Sequence, residues 1–330
     1  MATLYITEQG ARLERHYQTL EVTKHDERLM RVPLRRVTSV VLVGNVGVTT
    51  PTMHTLLANG VSLALVSRQG RLIGWLRSAK HPNLALRHRQ YARATDPAFC
   101  LEIARQIVYG KLRNSLALAR RLVRAHNIDP AALPRLESGI ADTLAAPDLD
   151  TLRGIEGSLA KVYFAVLRAA LPSEMTFSRR TRRPPTDPVN ALLSFGYTLL
   201  TANLFTAAEI VGLDPYDGFF HADKYGRPAL ALDLVEEFRP IIVDSVILTL
   251  VNNRRLKPGD FYRREGRGVW LSRRGLRRFL RAYSERLHTT IFHPDADRAL
   301  SYQKVFELQA RRLRKVVEGE KPVYEPFLVR

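Results

Sequence analysis

Three stretches of the chain carry side chains that could hold a metal ion. Glu156 lies in Gly154-Ile155-Glu156-Gly157, His221 ends the segment 212–221, and Glu236 lies in the segment 232–240. One imidazole and two carboxylates form a hard-cation site, which suits Mg²⁺ or Mn²⁺ and makes Zn²⁺ a weaker candidate. Such an ion polarises a phosphate and lowers the pKa of an attacking hydroxyl or water. These residues therefore predict metal-dependent phosphodiester chemistry.

The charge of the chain indicates what such a site acts on. Lys and Arg number 51 against 32 Asp and Glu, which gives a formal net charge of +19. Basic residues exceed acidic ones on both sides of residue 82, so a folded surface rather than a tail carries the excess. A surface of this kind favours a polyanionic partner, because neutralising phosphates releases counterions. The alternative is a basic protein whose charge serves solubility alone.

The spacing of the apolar residues predicts an α+β fold, in which a small N-terminal β-domain precedes a larger all-α catalytic domain. Residues 1–80 contain short aliphatic runs broken by Gly and Asn, as β-strands do, with one short helix at 51–58. In residues 97–330 the apolar positions recur three and four apart, which is typical of helices. Residues 81–96 are expected to form a linker between the two domains.

Glu156 lies on or beside the apolar stripe of a helix predicted at 148–170. Leu152 precedes it by four residues and Leu159 follows it by three. An unpaired carboxylate in such a position is costly. A metal ion, an arginine partner or a raised pKa would each account for it.

The third stretch offers several acids to the site. Asp233 and Glu236 are three residues apart and share a helical face, whereas Glu237 points about 100° away. This stretch leaves Glu236, Asp233 and Glu237 as candidate ligands, and with Glu236 as the ligand Asp233 would orient a ligand or a bound water. Asp244 is expected to be structural and paired with an arginine. Pro240 cannot donate to the carbonyl of Glu236, which predicts a kink or a helix start there.

Other signals concern the scaffold around these acids. Asp187 and Pro188 have the residue types of an N-cap and a first helical position. The helix that they begin is almost wholly apolar and ends near Gly212, so we expect it to be central. After Pro322 the sequence has no periodicity, which predicts a poorly ordered tail.

Two groups of arginines are candidates for binding nucleic acid. A loop that we expect to be flexible contains Arg179, Arg180, Arg182 and Arg183. Arg273, Arg277 and Arg281 recur every four residues and line one face of a predicted helix, opposite an apolar stripe. Five arginines with no acid among residues 272–281 repel one another. This density favours a phosphate-binding ridge over a solvated helix face.

Composition also excludes several classes of protein. The lone Cys100 excludes an intramolecular disulfide framework and a Cys-rich zinc site, and it is compatible with a reducing cytosol. Residues 1–8 show no basic start followed by an apolar core, so no signal peptide is visible. No apolar run approaches the ~20 residues of a membrane span. We therefore expect a cytoplasmic protein without a membrane partner.

The order of several motifs resembles one family, the CRISPR-associated adaptation integrases, which are the large metal-dependent subunits of spacer acquisition. The N-terminal resemblance lies in residues 40–48 and 57–74. The stronger motifs are Gly154-Ile155-Glu156-Gly157 with Tyr163-Phe164, the run from Asp187 to Ser194 with Gly196-Tyr197, the run from Gly212 to His221, and the run from Leu232 to Pro240 with Asp244. Each motif is weak alone, but together and in this order they are specific.

The resemblance implies an α-helical catalytic domain, a homodimer, and a complex with a small ferredoxin-like CRISPR-associated partner protein. It also implies that Glu156, His221 and Glu236 are the metal ligands and catalytic residues, with Asp233 a neighbouring acid. The implied activity is insertion of spacer DNA into a CRISPR array, in which a 3′-hydroxyl of the incoming duplex attacks a phosphodiester of the repeat. The alternatives are a stand-alone structure-specific nuclease, in which water attacks, and a non-catalytic nucleic-acid-binding scaffold.

Overall fold

The chain divides between residues 82 and 83 into two compact units. The computed structural model describes residues 2–68, 70–76, 78, 83–181, 184–221, 224–264, 268–293 and 296–329. The division falls two residues after the predicted end of the N-terminal domain. Residues 1–82 are mostly β-structure, and residues 83–330 are mostly helical, so the predicted α+β class is confirmed.

The N-terminal unit contains eight strands and one α-helix among its described residues. They are β1 (Ala2–Ile6), β2 (Arg12–His16), β3 (Thr19–Lys24), β4 (Glu27–Pro33), β5 (Val37–Val43), β6 (Gly47–Val48), α1 (Thr50–Ala58), β7 (Ser62–Val66) and β8 (Leu72–Leu76). A 3₁₀ turn at Leu34–Arg36 joins β4 to β5. Helix α1 confirms the short helix predicted at 51–58, and the Thr49 side chain caps its N-terminus.

These strands form two four-stranded sheets. One has the order β1-β5-β7-β8, with parallel neighbours except for the antiparallel pair β7–β8. The other has the order β4-β3-β2-β6, with a parallel pair only at β2–β6. Alternate residues such as Leu20 and Val22 of β3 are buried, as expected for strands with one covered face. They share a single core with Val40 and Leu42 of β5 from the other sheet.

The second unit contains nine α-helices and two short hairpins among its described residues. They are α2 (Leu84–Ala94), α3 (Pro97–His126), α4 (Ala132–Ala145), α5 (Leu149–Ala169), α6 (Pro188–Ile210), α7 (Ala229–Glu236), α8 (Ser245–Asn252), β9 (Phe261–Arg264), β10 (Gly268–Leu271), α9 (Arg273–His288), β11 (Thr290–His293), β12 (Arg298–Ser301) and α10 (Tyr302–Val317). Strands β9–β10 and β11–β12 pair antiparallel. A 3₁₀ turn at Pro258–Asp260 precedes β9.

Helix α6 forms the centre of this unit. The Asp187 carboxylate accepts from Asn190 N at 2.8 Å and Pro188 is the first helical residue, as the sequence predicts. Helix α6 is long and apolar enough to cross a membrane. The criterion applied to the sequence, an unbroken apolar run, did not single it out. Most of it is buried inside the unit, as in a core helix.

A π-helical segment, Arg239–Asp244, connects α7 to α8. Pro240 has no N–H, so the carbonyl of Glu236 loses its usual helical donor. The chain widens its turn at this point, and Ser245 N donates to the carbonyls of Pro240 and Ile242. The sequence therefore predicted an irregular backbone at Pro240, and the structure shows that it is a π-helical turn.

Three expectations were wrong in detail. Residues 84–94 of the predicted linker 81–96 form α2, a helix of the second unit that is capped by Asn83. The second unit is not purely α, because it contains the two hairpins. The segment after Pro322 is not a loose tail, since Tyr324 and Phe327 are buried. These two aromatic side chains add to the core although no periodicity of the sequence reveals them.

Candidate active site

The structure gathers the three predicted ligands into one cluster. Glu156 comes from α5, Glu236 is the last residue of α7, and His221 lies in the loop between α6 and α7. Nε2 of His221 lies 3.6 Å from Oε1 of Glu236. Glu156 joins them through Lys111 of α3, whose ammonium contacts Oε1 of Glu156 and lies 2.7 Å from Oε2 of Glu236.

Glu236 is the most enclosed of these groups, with its side chain 2% exposed. Burial raises the pKa of its carboxyl, but Arg239, Lys111 and His221 together outweigh burial and lower that pKa to about 2. Nη1 of Arg239 lies 2.9 Å from Oε1 of Glu236. The cluster therefore holds a buried, ionised carboxylate at neutral pH.

Asp233 fixes the loop that carries His221. Its Oδ2 accepts from the backbone N–H groups of Phe219 at 2.7 Å and Phe220 at 3.0 Å. Its Oδ1 accepts from the backbone N–H of His221 at 2.9 Å and lies 2.7 Å from Nδ1 of the ring. Gly218 allows this approach, because a Cβ there would lie 2.8 Å from Oδ2 of Asp233. The predicted orienting role for Asp233 agrees with this geometry.

A second layer of polar groups lies behind Arg239. Its guanidinium stacks 4.7 Å from the ring centre of Tyr197. The Tyr197 and Tyr163 hydroxyls each donate to Asp244 at 2.7 Å. Burial raises the pKa of Asp244 to about 6, against the two tyrosine hydrogen bonds and the charges of Arg239 and Arg180. The expected direct arginine partner of Asp244 is therefore replaced by two tyrosines.

Glu237 points away from the cluster, as its position one residue after Glu236 predicts. Its carboxylate accepts from Phe327 N at 2.6 Å and from the Tyr324 hydroxyl at 2.8 Å. Burial raises its pKa to about 7, although hydrogen bonds from Phe327, Tyr324 and Gln309 oppose the shift. Glu237 is thus a structural residue in this geometry and no competitor of Glu236.

The donor set of this cluster suits a divalent cation. No three His, Cys, Asp or Glu side chains in the described ranges approach one another closely enough to share an ion as they stand. Glu156 and Glu236 converge instead on the Lys111 ammonium, so a positive charge already lies at the point that both carboxylates face. One imidazole and two carboxylates around such a point match the preferences of Mg²⁺ and Mn²⁺.

Lys111 and Arg239 are the residues of the cluster that sequence reasoning missed. Lys111 lies four residues after Ile107 and seven before Leu118, both of which are buried. It therefore occupies the apolar stripe of α3, just as Glu156 approaches the stripe of α5. The same signal that marked Glu156 was present, but the abundance of basic residues along α3 concealed it.

The predicted flexible arginine loop is in part built into the fold. Arg180 donates to Asn190 Oδ1 at 2.9 Å and to Ser194 Oγ at 3.1 Å, so it is held against α6. Arg179 is exposed, and its carbonyl accepts from the Asn190 side chain. Arg182 and Arg183 lie outside the described residues.

The second group of arginines lies on α9, whose opposite face is buried through residues such as Leu276, Phe279 and Tyr283. Arg273, Arg277 and Arg281 are exposed, as predicted. The concave surface beside them is lined by a different stripe, which includes Arg274, Arg278 and Arg281 from α9. We call this depression, of about 810 Å³, the basic cavity; its other charged lining residues are Arg254, Arg255, Lys257 and Asp260.

Comparison with known proteins identifies the class to which this chain belongs. A family model described as "CRISPR associated protein Cas1" matches residues 4–285. "CRISPR-associated endonuclease Cas1 3" of Thermus thermophilus is 38% identical over 332 residues, which covers 100% of this chain and 98% of that protein. A Cas4/Cas1 fusion of Geobacter sulfurreducens is 37% identical over 99% of this chain, which spans 60% of the fusion. The chain belongs to the Cas1 family.

Solved structures agree with the fold. A casposase bound to integration product superposes with a TM-score of 0.88 at 24% identity, covering 98% of this chain and 93% of that one. At this identity the likeness concerns the fold alone. A chain of a Cas6-RT-Cas1–Cas2 complex superposes with a TM-score of 0.85 at 26% identity, over 99% of this chain and 36% of that chain. The family, the fold class and the endonuclease class of enzyme predicted from the sequence are confirmed.

Proposed function

We propose that this enzyme inserts short foreign DNA into a CRISPR array and uses Mg²⁺ or Mn²⁺ held by Glu156, His221 and Glu236. The observation that carries this proposal is that both carboxylates converge on the Lys111 ammonium and that Nε2 of His221 lies 3.6 Å from Glu236. The bound ion would supply Lewis-acid polarisation of a phosphate and a lower pKa for the attacking hydroxyl. No protein nucleophile is required.

The roles of the surrounding residues follow from their contacts. Asp233 holds Nδ1 of His221, so the Nε2 atom faces Glu236 and is available as a ligand. Arg239 keeps Glu236 ionised and in place through the contact at 2.9 Å. Lys111 pairs with both carboxylates, and its ammonium would be available to a phosphate oxygen if an ion took its place between them.

The proposed substrates and partners rest on the charge of the chain and on the relatives. A net charge of +19 suits double-stranded DNA, namely the incoming spacer duplex and the CRISPR repeat. One structural relative is a Cas1–Cas2 complex, and we propose that this chain likewise works as a homodimer with a small ferredoxin-like partner of the Cas2 kind, in the cytoplasm. The arginines of α9 are proposed to bind the DNA backbone.

The test is an integration assay with the purified chain, its small partner, short duplex DNA and a supercoiled target that carries a repeat. Wild-type protein should join the duplex to the target with Mn²⁺ or Mg²⁺, and His221→Ala should not. His288→Ala, which changes an exposed histidine of α9, is the matched control and should join normally. Normal joining by His221→Ala in both metals would refute the site. Cleavage of DNA without joining would favour the stand-alone nuclease.

A further inference from the structure

The last described segment of the chain, residues 324–329, has neither helix nor strand, yet it is anchored in the helical unit. Tyr324 is 1% exposed and Phe327 is 6% exposed. The Phe327 ring stacks on Phe238, with ring centres 5.8 Å apart and planes 15° from parallel. Irregular segments usually run over the surface, because their backbone groups need water. The groups that hydrogen-bond to this backbone in place of water indicate the role of the segment.

Two buried polar side chains supply those partners. Glu237 accepts from Phe327 N and from the Tyr324 hydroxyl. The Asn114 amide donates to the carbonyls of Glu237 at 2.9 Å and Phe327 at 2.8 Å, and its oxygen accepts from Val329 N at 3.0 Å. Asn114 lies in α3 and Glu237 directly follows α7, so the segment connects these two helices through hydrogen bonds.

The segment also contacts α3 closely at Gly110. A Cβ built on Gly110 would lie 2.4 Å from Cβ of Pro326 and 2.9 Å from its Cγ, a distance that real Cβ atoms do not adopt. The same Cβ would lie 3.6 Å from Cβ of Glu237, which is ordinary contact. Pro326 therefore packs directly on the backbone of α3, and glycine is the residue that permits it.

These contacts lie immediately behind the candidate active site. Gly110 precedes Lys111, and Glu237 follows Glu236. Lys111 and Glu236 are the pair whose 2.7 Å contact joins α3 to α7 on the side of the predicted ligands. We propose that segment 324–329 is a brace that sets the spacing between α3 and α7, and that Asn114, Glu237, Pro326 and Phe327 are positioning residues for Lys111 and Glu236.

The reason for a brace is the precision that the proposed chemistry requires. Residues 111 and 236 are distant in sequence, and each lies where its helix meets the site. A misplacement of ~1 Å in such a site costs on the order of 100-fold in rate. The brace hydrogen-bonds to Asn114 of α3 and to Glu237 after α7, and the buried Tyr324 and Phe327 anchor it, so it holds the two helices together when the Lys111–Glu236 contact rearranges around substrate. This inference rests on the proposed function.

The experiment uses the full chain and a compensating pair of substitutions. Gly110→Ala should push the brace off α3, whereas Pro326→Gly removes the ring that the new methyl group would strike. We expect Gly110→Ala to lower kcat for Mn²⁺-dependent joining by about 10- to 100-fold with KM for DNA nearly unchanged. The double variant Gly110→Ala/Pro326→Gly should recover most of kcat. Loss of kcat without recovery in the double variant, or no loss in Gly110→Ala, overturns the proposal.

A second measurement does not depend on catalysis. In Gly110→Ala, amide hydrogen exchange should accelerate in residues 106–114 and in 324–329, and the double variant should restore protection. If Gly110→Ala fails to fold, Phe327→Leu takes its place, since it loosens the stacking on Phe238 while retaining an apolar anchor. Unchanged exchange in the folded variant overturns the brace. A wild-type chain that neither cleaves nor joins DNA with Mn²⁺ refutes the proposed function instead, and the exchange data then decide the brace by themselves.

Discussion

Asp233 holds His221 at two points, the backbone N–H and the ring Nδ1, at 2.9 Å and 2.7 Å from a single carboxylate oxygen. Both the position of the loop and the rotation of the imidazole therefore depend on one acid. The other oxygen binds two further backbone N–H groups, so all four donors converge on a fully buried side chain. An amide in this place could accept on one side only, because its NH₂ group would face donors.

Asp233→Asn hardly changes the shape of the side chain, but it should still impair metal binding and activity. We expect metal affinity or joining activity to fall about 10- to 100-fold, as is typical when the partner of a ligating histidine is lost. Isothermal titration with Mn²⁺ and the integration assay measure the two effects. Asp150→Asn, which changes a 93% exposed carboxylate of α5, is the control and should behave as wild type. Equal Mn²⁺ binding in both variants would show that His221 is not oriented by Asp233.

Lys111→Met tests whether the two carboxylates share a cation. Glu236 has a lowered pKa, so its ion pairs stabilise the fold above pH ~4.5, and that contribution is lost as pH falls through about 2. Removing the ammonium should lower the free energy of unfolding at pH 7 by about 3 kcal/mol, the cost of breaking a buried pair. The deficit should shrink in acid, where the carboxylates are protonated.

Mn²⁺ should then restore stability to Lys111→Met, and raise its Tm further than it raises that of wild type, because the ion no longer competes with the ammonium. Thermal melts with Mn²⁺ and with EDTA provide the comparison. Lys161→Met removes an exposed lysine of α5 and should show no such metal response beyond that of wild type. If Mn²⁺ leaves the Tm of Lys111→Met unchanged, Glu156 and Glu236 do not hold an ion together.

The helical scaffold of the site was largely predictable, because each helix carries local signals. Asp187 and Pro188 marked the start of α6, and Pro240 marked the irregular turn between α7 and α8. The burial of Tyr324 and Phe327 was not predictable, since their segment is held by Asn114 and Glu237, which are distant in sequence. Local periodicity contains no information about such pairings.

In the candidate site, too, some residues could be predicted from local sequence and others could not. Glu156, His221 and Glu236 were selected from residue type and motif, and the direction of Glu237 followed from helical geometry. Lys111 became visible only when α3, α5 and α7 packed together. A helix with basic residues on several faces does not reveal from sequence which one is turned inward.

Asp244→Asn should change how stability depends on pH. The folded state holds the carboxyl pKa at about 6 against an ordinary value of 3.8, mainly through burial. A raised acid pKa contributes stability that is present below pH ~4 and is lost as pH rises to about 6. Two pH units at about 1.4 kcal/mol each amount to about 3 kcal/mol.

Denaturant unfolding of wild type and Asp244→Asn at several pH values measures this difference. Asparagine can keep both contacts, because one tyrosine hydroxyl donates to its oxygen and the other accepts from its NH₂ group. The free energy of unfolding of Asp244→Asn, relative to that of wild type, should therefore rise by about 3 kcal/mol between pH 4 and pH 7. Stability curves that run parallel across this range would mean that Asp244 titrates at its ordinary pKa.

The arginines of α9 allow a matched comparison on a single helix. Arg274 and Arg281 line the basic cavity and are 74% and 78% exposed, whereas Arg273 and Arg277 of the same helix lie outside its lining. Sequence periodicity favoured the face of Arg273, Arg277 and Arg281. The structure adds a concave surface beside it, where six basic side chains surround Asp260. Phosphates of a duplex would be surrounded by more positive charge there than beside Arg273 and Arg277.

We therefore expect Arg274→Ala/Arg281→Ala to weaken DNA binding more than Arg273→Ala/Arg277→Ala, although both double variants remove the same charge. The slope of log affinity against log salt should fall by roughly 2 units for the first pair, at about 0.9 per lost phosphate contact. The second pair should change the slope by well under 1 unit. Unrelated duplex sequences should be affected alike, because phosphate contacts do not read bases. Equal slopes for the two pairs would mean that α9 attracts DNA only through its overall charge. A loss of affinity confined to one DNA sequence would mean that these arginines read bases.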